Sequence, residues 1–168
     1  RVPKLSAEEY KEFTKSSHEA AISIGRSTAE AIEATTSFVK LGYSVEEAKG
    51  YLSEAGLTLA NVADMNTEDS IDAITSTLKG FGFGVQEVTR VIDVTNESGN
   101  KFALSTSDLA EMLRIGSASM SIAGNDLEQT SALMISAFEI LQDSSKVANG
   151  LKTISMRLRG VAEEGEEL

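Results

Sequence analysis

A helix cap, a stripe of apolar residues and a closing glycine follow one another repeatedly along this chain. The pattern is clearest in the second half, where Ser105 or Ser107 can cap a helix that Gly124 ends. Asn125, with Glu128 three residues later, predicts the start of a second helix. The segment therefore reads as a helical hairpin. Its apolar stripes are Leu109, Leu113 and Met120 in the first helix, and Leu127, Met134, Ile135, Phe138 and Leu141 in the second.

The same pattern recurs in most other segments and predicts an all-α fold. We expect a compact bundle of about eight short amphipathic helices joined by glycine-capped turns, without strands. Two interruptions are predicted. A break is expected near Gly56, in the stripe that starts after Ser44, because glycine costs a helix about 1 kcal/mol relative to alanine. The polar segment NESGNKFAL, residues 96–104, is expected to be the longest irregular loop.

Two segments share one turn pattern. The first begins at Leu41 and reads LGYSVEEAKGYL, and the second begins at Phe81 and reads FGFGVQEVTRVI. Both place a hydrophobic residue, a glycine and a second hydrophobic residue ahead of a Val-x-Glu helix start. Two turns of the same kind are therefore predicted, although any capped helix tends toward such a pattern. No strict repeat period is present.

The chain is expected to divide into three parts. Residues 1–26 form an N-terminal helix or a linker to a longer polypeptide, residues 27–160 a globular helical domain, and residues 161–168 an acidic tail. Its 168 residues, 41% of them hydrophobic, can bury a core. Because the sequence begins with Arg1 and ends in EEGEEL, we expect a segment of a longer protein. No apolar run approaches the roughly 18 residues of a membrane helix, so no membrane insertion is expected.

The charge and the ligand inventory argue against two kinds of site. The formal net charge is −11, whereas binding to nucleic-acid phosphates needs clustered cations. We therefore expect no sequence-specific nucleic-acid binding. The chain has no cysteine and a single histidine, His18, which is too few ligands for a zinc site. No metal and no cofactor are predicted.

The candidate catalytic patterns are weak. Ser37 and Ser76 each precede a lysine by three residues, a spacing that can place the lysine beside a nucleophilic serine on a helix. The companion motifs of such enzymes are incomplete or missing. The segment GFGFGV, which begins at Gly80, has the glycines of a phosphate-binding loop but lacks its Gly-Lys-Ser/Thr ending. A helix C-cap with aromatic packing explains it better, and we predict no catalytic residue and no enzymatic activity.

The last predicted helix combines an apolar seam with positive charge. Four cations and no acid occur between residues 146 and 159, in a chain that is otherwise acidic. Cations near a helix C-terminus ordinarily stabilise the helix, but the same residues can also form a partner-contact face. Both interpretations are open at this point. The contact residues of the second interpretation are Val147, Leu151, Ile154, Leu158, Arg157 and Arg159.

Three stretches of the sequence carry a family resemblance. The first reads STAEAIEATTSFVKLGYSVEEA, the second reads DAITSTLKGFGFGVQEVTRVIDVTNESGNKFALSTSDLAEMLR, and the third combines NDLEQTSALMISAFE with GLKTISMRLRG. In these stretches, residues 29–159 resemble the conserved helical region of tail tape measure proteins from long-tailed bacteriophages and their prophages. The segment QDSSKVANG departs from the family pattern, because many relatives are glycine-rich there.

The resemblance implies a structural virion assembly protein that sets tail length, occupies the tail tube and leaves it on genome ejection. It implies three kinds of partner: other copies of the tape measure protein, the tail tube and tail assembly proteins. The implied locations are the virion tail and, during assembly, the cytoplasm of the bacterial host. The main alternative is a non-catalytic helical-bundle interaction module of a bacterium, either toxin-associated or regulatory. A cryptic hydrolase is a third alternative, which the single histidine and the missing cysteines count against.

Overall fold

The computed structural model describes residues 6–160, and this part of the chain contains nine α-helices and no strand. Eight of these nine helices have seven or more residues, which confirms the predicted all-α bundle. A π-helical turn, Ala48–Leu52, joins the third helix to the fourth, and a 3₁₀ turn, Val85–Glu87, precedes the sixth. The predicted acidic tail, residues 161–168, lies outside the described residues. The helices are α1 Ala7–Ile24, α2 Thr28–Lys40, α3 Val45–Glu47, α4 Ser53–Val62, α5 Thr67–Phe81, α6 Val88–Lys101, α7 Thr106–Ile122, α8 Leu127–Leu141 and α9 Ser144–Leu158.

Two helices organise the packing. In the first half α2 contacts α1, α4 and α5, and in the second half α7 contacts α5, α6, α8 and α9, so α5 joins the two halves. The apolar stripes predicted for α7 and α8 are buried except at Leu141, which is half exposed at the end of α8. The largest fully buried side chains are Phe38, Leu52, Leu57, Leu59, Ile71, Ile74, Leu78, Leu109, Met112, Leu113, Met120 and Leu127.

One kind of turn ends five of the helices. The N–H group that follows a left-handed residue donates to a carbonyl five residues earlier, as from Tyr43 to Phe38 at 3.2 Å and from Phe83 to Leu78 at 2.8 Å. These two bonds belong to the two turns predicted to be alike, and that prediction is confirmed. Glycine occupies the left-handed position in four of the five cases because it lacks the Cβ that strains this conformation. The left-handed residues are Gly25, Gly42, Asp64, Gly82 and Gly124.

The helix caps follow at a constant distance, two residues after each left-handed residue. One predicted cap is wrong. Asp126, not Asn125, caps α8, since its carboxylate accepts the N–H of Gln129 at 2.7 Å. The Asn125 side chain instead donates to the carbonyl of Met120 at 3.2 Å and closes α7. The caps after the five turns are Ser27, Ser44, Asn66, Gly84 and Asp126.

Both predicted interruptions are also wrong. Gly56 lies buried inside α4, where an added Cβ would sit 3.2 Å from the ring of Phe38 and 3.3 Å from Ile71. The helix is interrupted earlier, at the π-helical turn. The segment 96–104 is helical as far as Lys101, and Gly99 lies within α6, where an added Cβ would be 2.8 Å from the backbone nitrogen of Thr106. Both glycines permit close packing between elements and do not break their helices.

The cap of α2 makes folding stability depend on pH. The Glu30 carboxylate accepts the backbone N–H of Ser27 at 2.9 Å and a guanidinium N–H of Arg26 at 2.8 Å. These bonds, with the Ser27 hydroxyl, lower the Glu30 pKa from 4.5 to about 2. A carboxyl group whose pKa falls on folding stabilises the protein above its unfolded pKa and loses that contribution as pH falls through the folded one.

We therefore expect Glu30→Gln to melt below wild type at pH 7, with the difference disappearing between about pH 4.5 and about pH 2. Thermal melts across this range measure the difference. Glu33→Gln, an exposed change later in the same helix, is the matched control and leaves the melting temperature unchanged. If the melting temperature of Glu30→Gln stayed below that of wild type by the same amount down to pH 2, the assigned pKa of Glu30 would be contradicted.

Candidate docking surface

The apolar seam predicted on the last helix is divided between core and surface. Val147 is fully buried and Leu151 packs half-buried against the core. Ile154 and Leu158, one and two turns further on, are 54% and 84% exposed. The first half of α9 therefore belongs to the core, and its last turns present apolar side chains to solvent.

Two hydrogen bonds hold α9 against α7. The Ser144 hydroxyl donates to the carboxylate of Asp108 at 2.7 Å, and the Ser155 hydroxyl donates to the sulfur of Met120 at 3.2 Å. Burial alone raises the pKa of Asp108, but hydrogen bonds from Ser105 and Ser144 bring it below its usual value. The residue with the higher number in α7, Met120, contacts the residue with the higher number in α9, Ser155, so the two helices run parallel. The end of α9 therefore lies near the end of α7, where Ile122 is also exposed.

Positive charge surrounds the exposed end of α9. Arg157 and Arg159 are both exposed, and Lys152 is partly buried. The Arg159 guanidinium donates to the carbonyl of Ser155 at 3.2 Å, which places that charge at the C-terminus of the helix dipole. The sequence of α9, Ser144–Leu158, contains no acid. The exposed part of this helix is thus both apolar and cationic.

A groove of about 550 Å³ lies between α6 and α8, and no residue of α9 lines it. Small side chains on α8 leave it open, and Ile135, Val94 and the half-exposed ring of Phe102 make it apolar. No sequence pattern predicted this groove. Small residues on both sides of Ile135 form one wall of the groove and are visible in the sequence. The second wall is α6, and the sequence of α8 alone does not show that α6 lies opposite it. The lining residues are Val94, Glu97, Ser98, Lys101, Phe102, Glu128, Ser131, Ala132, Ile135, Ser136 and Glu139.

The rim of the groove is acidic. Arg90 donates to both carboxylate oxygens of Glu128, at 2.8 and 2.7 Å, and these bonds lower the pKa of Glu128. Glu97 pairs with Lys101, which likewise lowers the pKa of Glu97. Glu139 is exposed and has no ion pair with any residue in the described range. Three carboxylates and one lysine therefore line the groove.

His18 and Lys79, which belong to the candidate catalytic patterns, make contacts that join helices and do not contact a nucleophilic serine. His18 is exposed, and its Nδ1 lies 2.8 Å from the hydroxyl of Thr28, where it links α1 to α2. Lys79 does not pair with Ser76 but donates to the carbonyl of Leu41 at 2.7 Å and lies over the ring of Tyr43. Its charge thus stabilises the C-terminus of α2.

The glycine-rich segment that begins at Gly80 forms the end of α5. Gly82 is left-handed at the end of α5, and the rings of Phe81 and Phe83 stack with centroids 5.4 Å apart. This is the C-cap with aromatic packing that the sequence predicted. Within residues 6–160, no group of three or more His, Asp or Glu side chains is arranged to hold a metal ion. No helix in the same range is long and apolar enough to cross a membrane.

Comparison with known proteins places these surfaces in a biological setting. A family model described as phage-related minor tail protein matches residues 14–168, so the match includes both the groove and α9. No solved structure matches the chain. Because the family model covers most of the sequence, the chain belongs to the family of phage-related minor tail proteins and has a structural role in a phage tail.

Proposed function

We propose that this chain is a helical module of a tail tape measure protein, which sets the length of a phage tail and takes part in genome ejection. The match of residues 14–168 to a minor tail family carries the proposal. The resemblance of residues 29–159 to the helical region of tape measure proteins makes it specific. Membership in a tail family also counts against the alternative of a bacterial regulatory module. The role is structural, without catalysis or a cofactor.

The charge of the chain suits a protein that shares the tail tube with DNA. A formal net charge of −11 repels phosphates, so the genome can pass the protein without binding to it. We propose other copies of the tape measure protein, the tail tube and tail assembly proteins as its partners. The module then resides in the virion tail, and in the cytoplasm of the host while tails assemble.

The test changes the length of the module in the phage that encodes it. In-frame removal of residues 27–160 should shorten the tail, as measured by electron microscopy of purified particles. A segment that spans the tube as one continuous helix accounts for about 200 Å, at about 1.5 Å per residue. A segment that stays compact accounts for at most about 40 Å. The size of the change therefore reports the form that the module takes in the tail.

A duplication of residues 27–160 is the companion variant, because it lengthens the tail even if the deletion prevents assembly. The matched control replaces the segment by an unrelated helical bundle of equal length, which restores length if the segment acts as a spacer. Tails of wild-type length in both the deletion and the duplication would refute a role in length determination.

A further inference from the structure

We propose that the exposed end of α9 in one copy of the chain docks into the α6/α8 groove of a second copy. The inference deepens the proposed function, on which its biological meaning rests, by naming the surfaces through which copies associate. Both surfaces belong to the described residues, and both are open to solvent within the single chain. Their apolar character and their charges match.

The apolar match joins two exposed side chains to one open groove. Ile154 and Leu158 lie four residues apart, so they project from the same face of α9 about one turn, or 6 Å, from each other. The groove of about 550 Å³ is lined by Ile135, Phe102 and small residues that leave room for such side chains. Docking removes apolar surface from water on both sides, which favours association.

The charges of the two surfaces are opposite. Lys152, Arg157 and Arg159 accompany the exposed apolar residues of α9. In the groove, Glu97 and Glu128 already pair with Lys101 and Arg90, and Glu139 is the lining carboxylate that has no ion pair in the described range. Opposite charges across an interface accelerate association and select the partner, and salt weakens their effect. The same comparison disfavours a symmetric contact between two α9 helices, because that contact would bring like charges together.

The proposed contact joins two different surfaces, since no residue of α9 lines the groove. Each copy therefore offers one α9 end and one groove. Contacts of this head-to-tail kind continue from copy to copy, and they form a ring or an open chain. An arrangement along or around an axis is the geometry that a protein inside a tube requires.

The test uses two variants of the purified chain, each of which removes one surface. Ala132→Arg with Glu139→Arg places cations in the groove, and Arg157→Glu with Leu158→Glu reverses the charge of α9 and removes its outermost apolar side chain. All four of these side chains are exposed, and those of Ala132, Glu139 and Leu158 form no side-chain bond in the described structure. In sedimentation velocity at low salt we expect wild type to associate, and each variant to do so at least about tenfold more weakly. About 1 M salt should also weaken wild-type association.

Mixing the two variants distinguishes head-to-tail docking from other contacts. The groove variant still has an intact α9, and the α9 variant still has an intact groove, so the mixture should form one-to-one dimers that grow no further. A symmetric α9 contact predicts instead that the groove variant associates alone and that mixing adds nothing. Ile22→Glu, an exposed apolar change on α1, is the matched control and should associate like wild type.

Three results would overturn the proposal: a wild-type chain that stays monomeric at low salt, a groove variant that associates like wild type, or a mixture without heterodimers. Thermal melts of each variant verify that it is folded. The outcome is separate from that of the proposed function, because a chain can set tail length without docking through these surfaces. Measuring tail length in phage that carry the α9 variant shows independently whether docking through these surfaces is needed to set tail length.

Discussion

Replacing Leu113 by aspartate is expected to unfold the protein at room temperature. Leu113 is 1% exposed in α7, the helix that contacts α5, α6, α8 and α9. Truncating a buried leucine costs about 2 to 5 kcal/mol, and burying an unpaired carboxylate adds several kcal/mol more. The sum approaches the total stability of a domain, about 5 to 15 kcal/mol. Far-UV circular dichroism should show loss of helix, and Phe138→Asp in α8 should behave in the same way.

Ile140→Asp is the matched control for these changes. It places the same charge on α8, at a position that is 83% exposed. We expect its stability to stay within about 0.5 kcal/mol of wild type. If Leu113→Asp melted at the wild-type temperature, the stripe of α7 would not be core.

Replacing Gly80 by alanine is expected to destabilise the protein, because Gly80 lies where α5 packs against α7. A Cβ added to Gly80 would lie 2.7 Å from the Cβ of Ser117 and 2.8 Å from the backbone nitrogen of Ala118. The second of these atoms belongs to a helix backbone and cannot move away alone, so α5 and α7 must separate. Overpacking of this kind costs about 1 to 3 kcal/mol. Chemical denaturation of Gly80→Ala should show a loss of this size.

Gly150→Ala is the control: it is the same substitution, but we expect it to raise the free energy of unfolding. Gly150 lies in α9 and an added Cβ there meets no atom within 4 Å. Alanine at an open helical position stabilises by about 0.5 to 1 kcal/mol, because glycine is the poorer helix former. Equal effects of the two changes would show that α5 and α7 are less close than the structure has them.

The helices and most of their ends were predictable from the sequence because the interactions that define them are local. A cap needs only a side chain and an N–H group a few residues away, as Ser27 and Glu30 show. A left-handed turn needs only a residue that tolerates positive φ, as at Gly42 and Gly82. The exception at α8 was a choice between neighbours, Asn125 and Asp126, both of which are good caps.

The glycines inside helices could not be assigned from the sequence. A glycine can serve its own backbone, by allowing positive φ, or it can serve a neighbouring helix, by leaving space for it. Gly56, Gly80 and Gly99 do the second. Nothing in their own helices distinguishes the two uses, because the atom that needs the space belongs to another element: to Phe38 in α2 for Gly56, and to Ala118 or Thr106 in α7 for Gly80 and Gly99. Two helix breaks were therefore predicted where the chain continues as a helix.

For the candidate docking surface too, some features follow from the sequence and others only from the tertiary structure. The sequence alone determined that α9 has an apolar seam and positive charge, since helical spacing places Val147, Leu151, Ile154 and Leu158 on one side. Only the tertiary structure decided which of them are covered. A core forms where helices face each other, and the neighbours of α9 cover Val147 and Leu151 but leave Ile154 and Leu158 in solvent. The groove depends on tertiary structure entirely, because its walls come from two helices, α6 and α8, whose distance no local interaction sets.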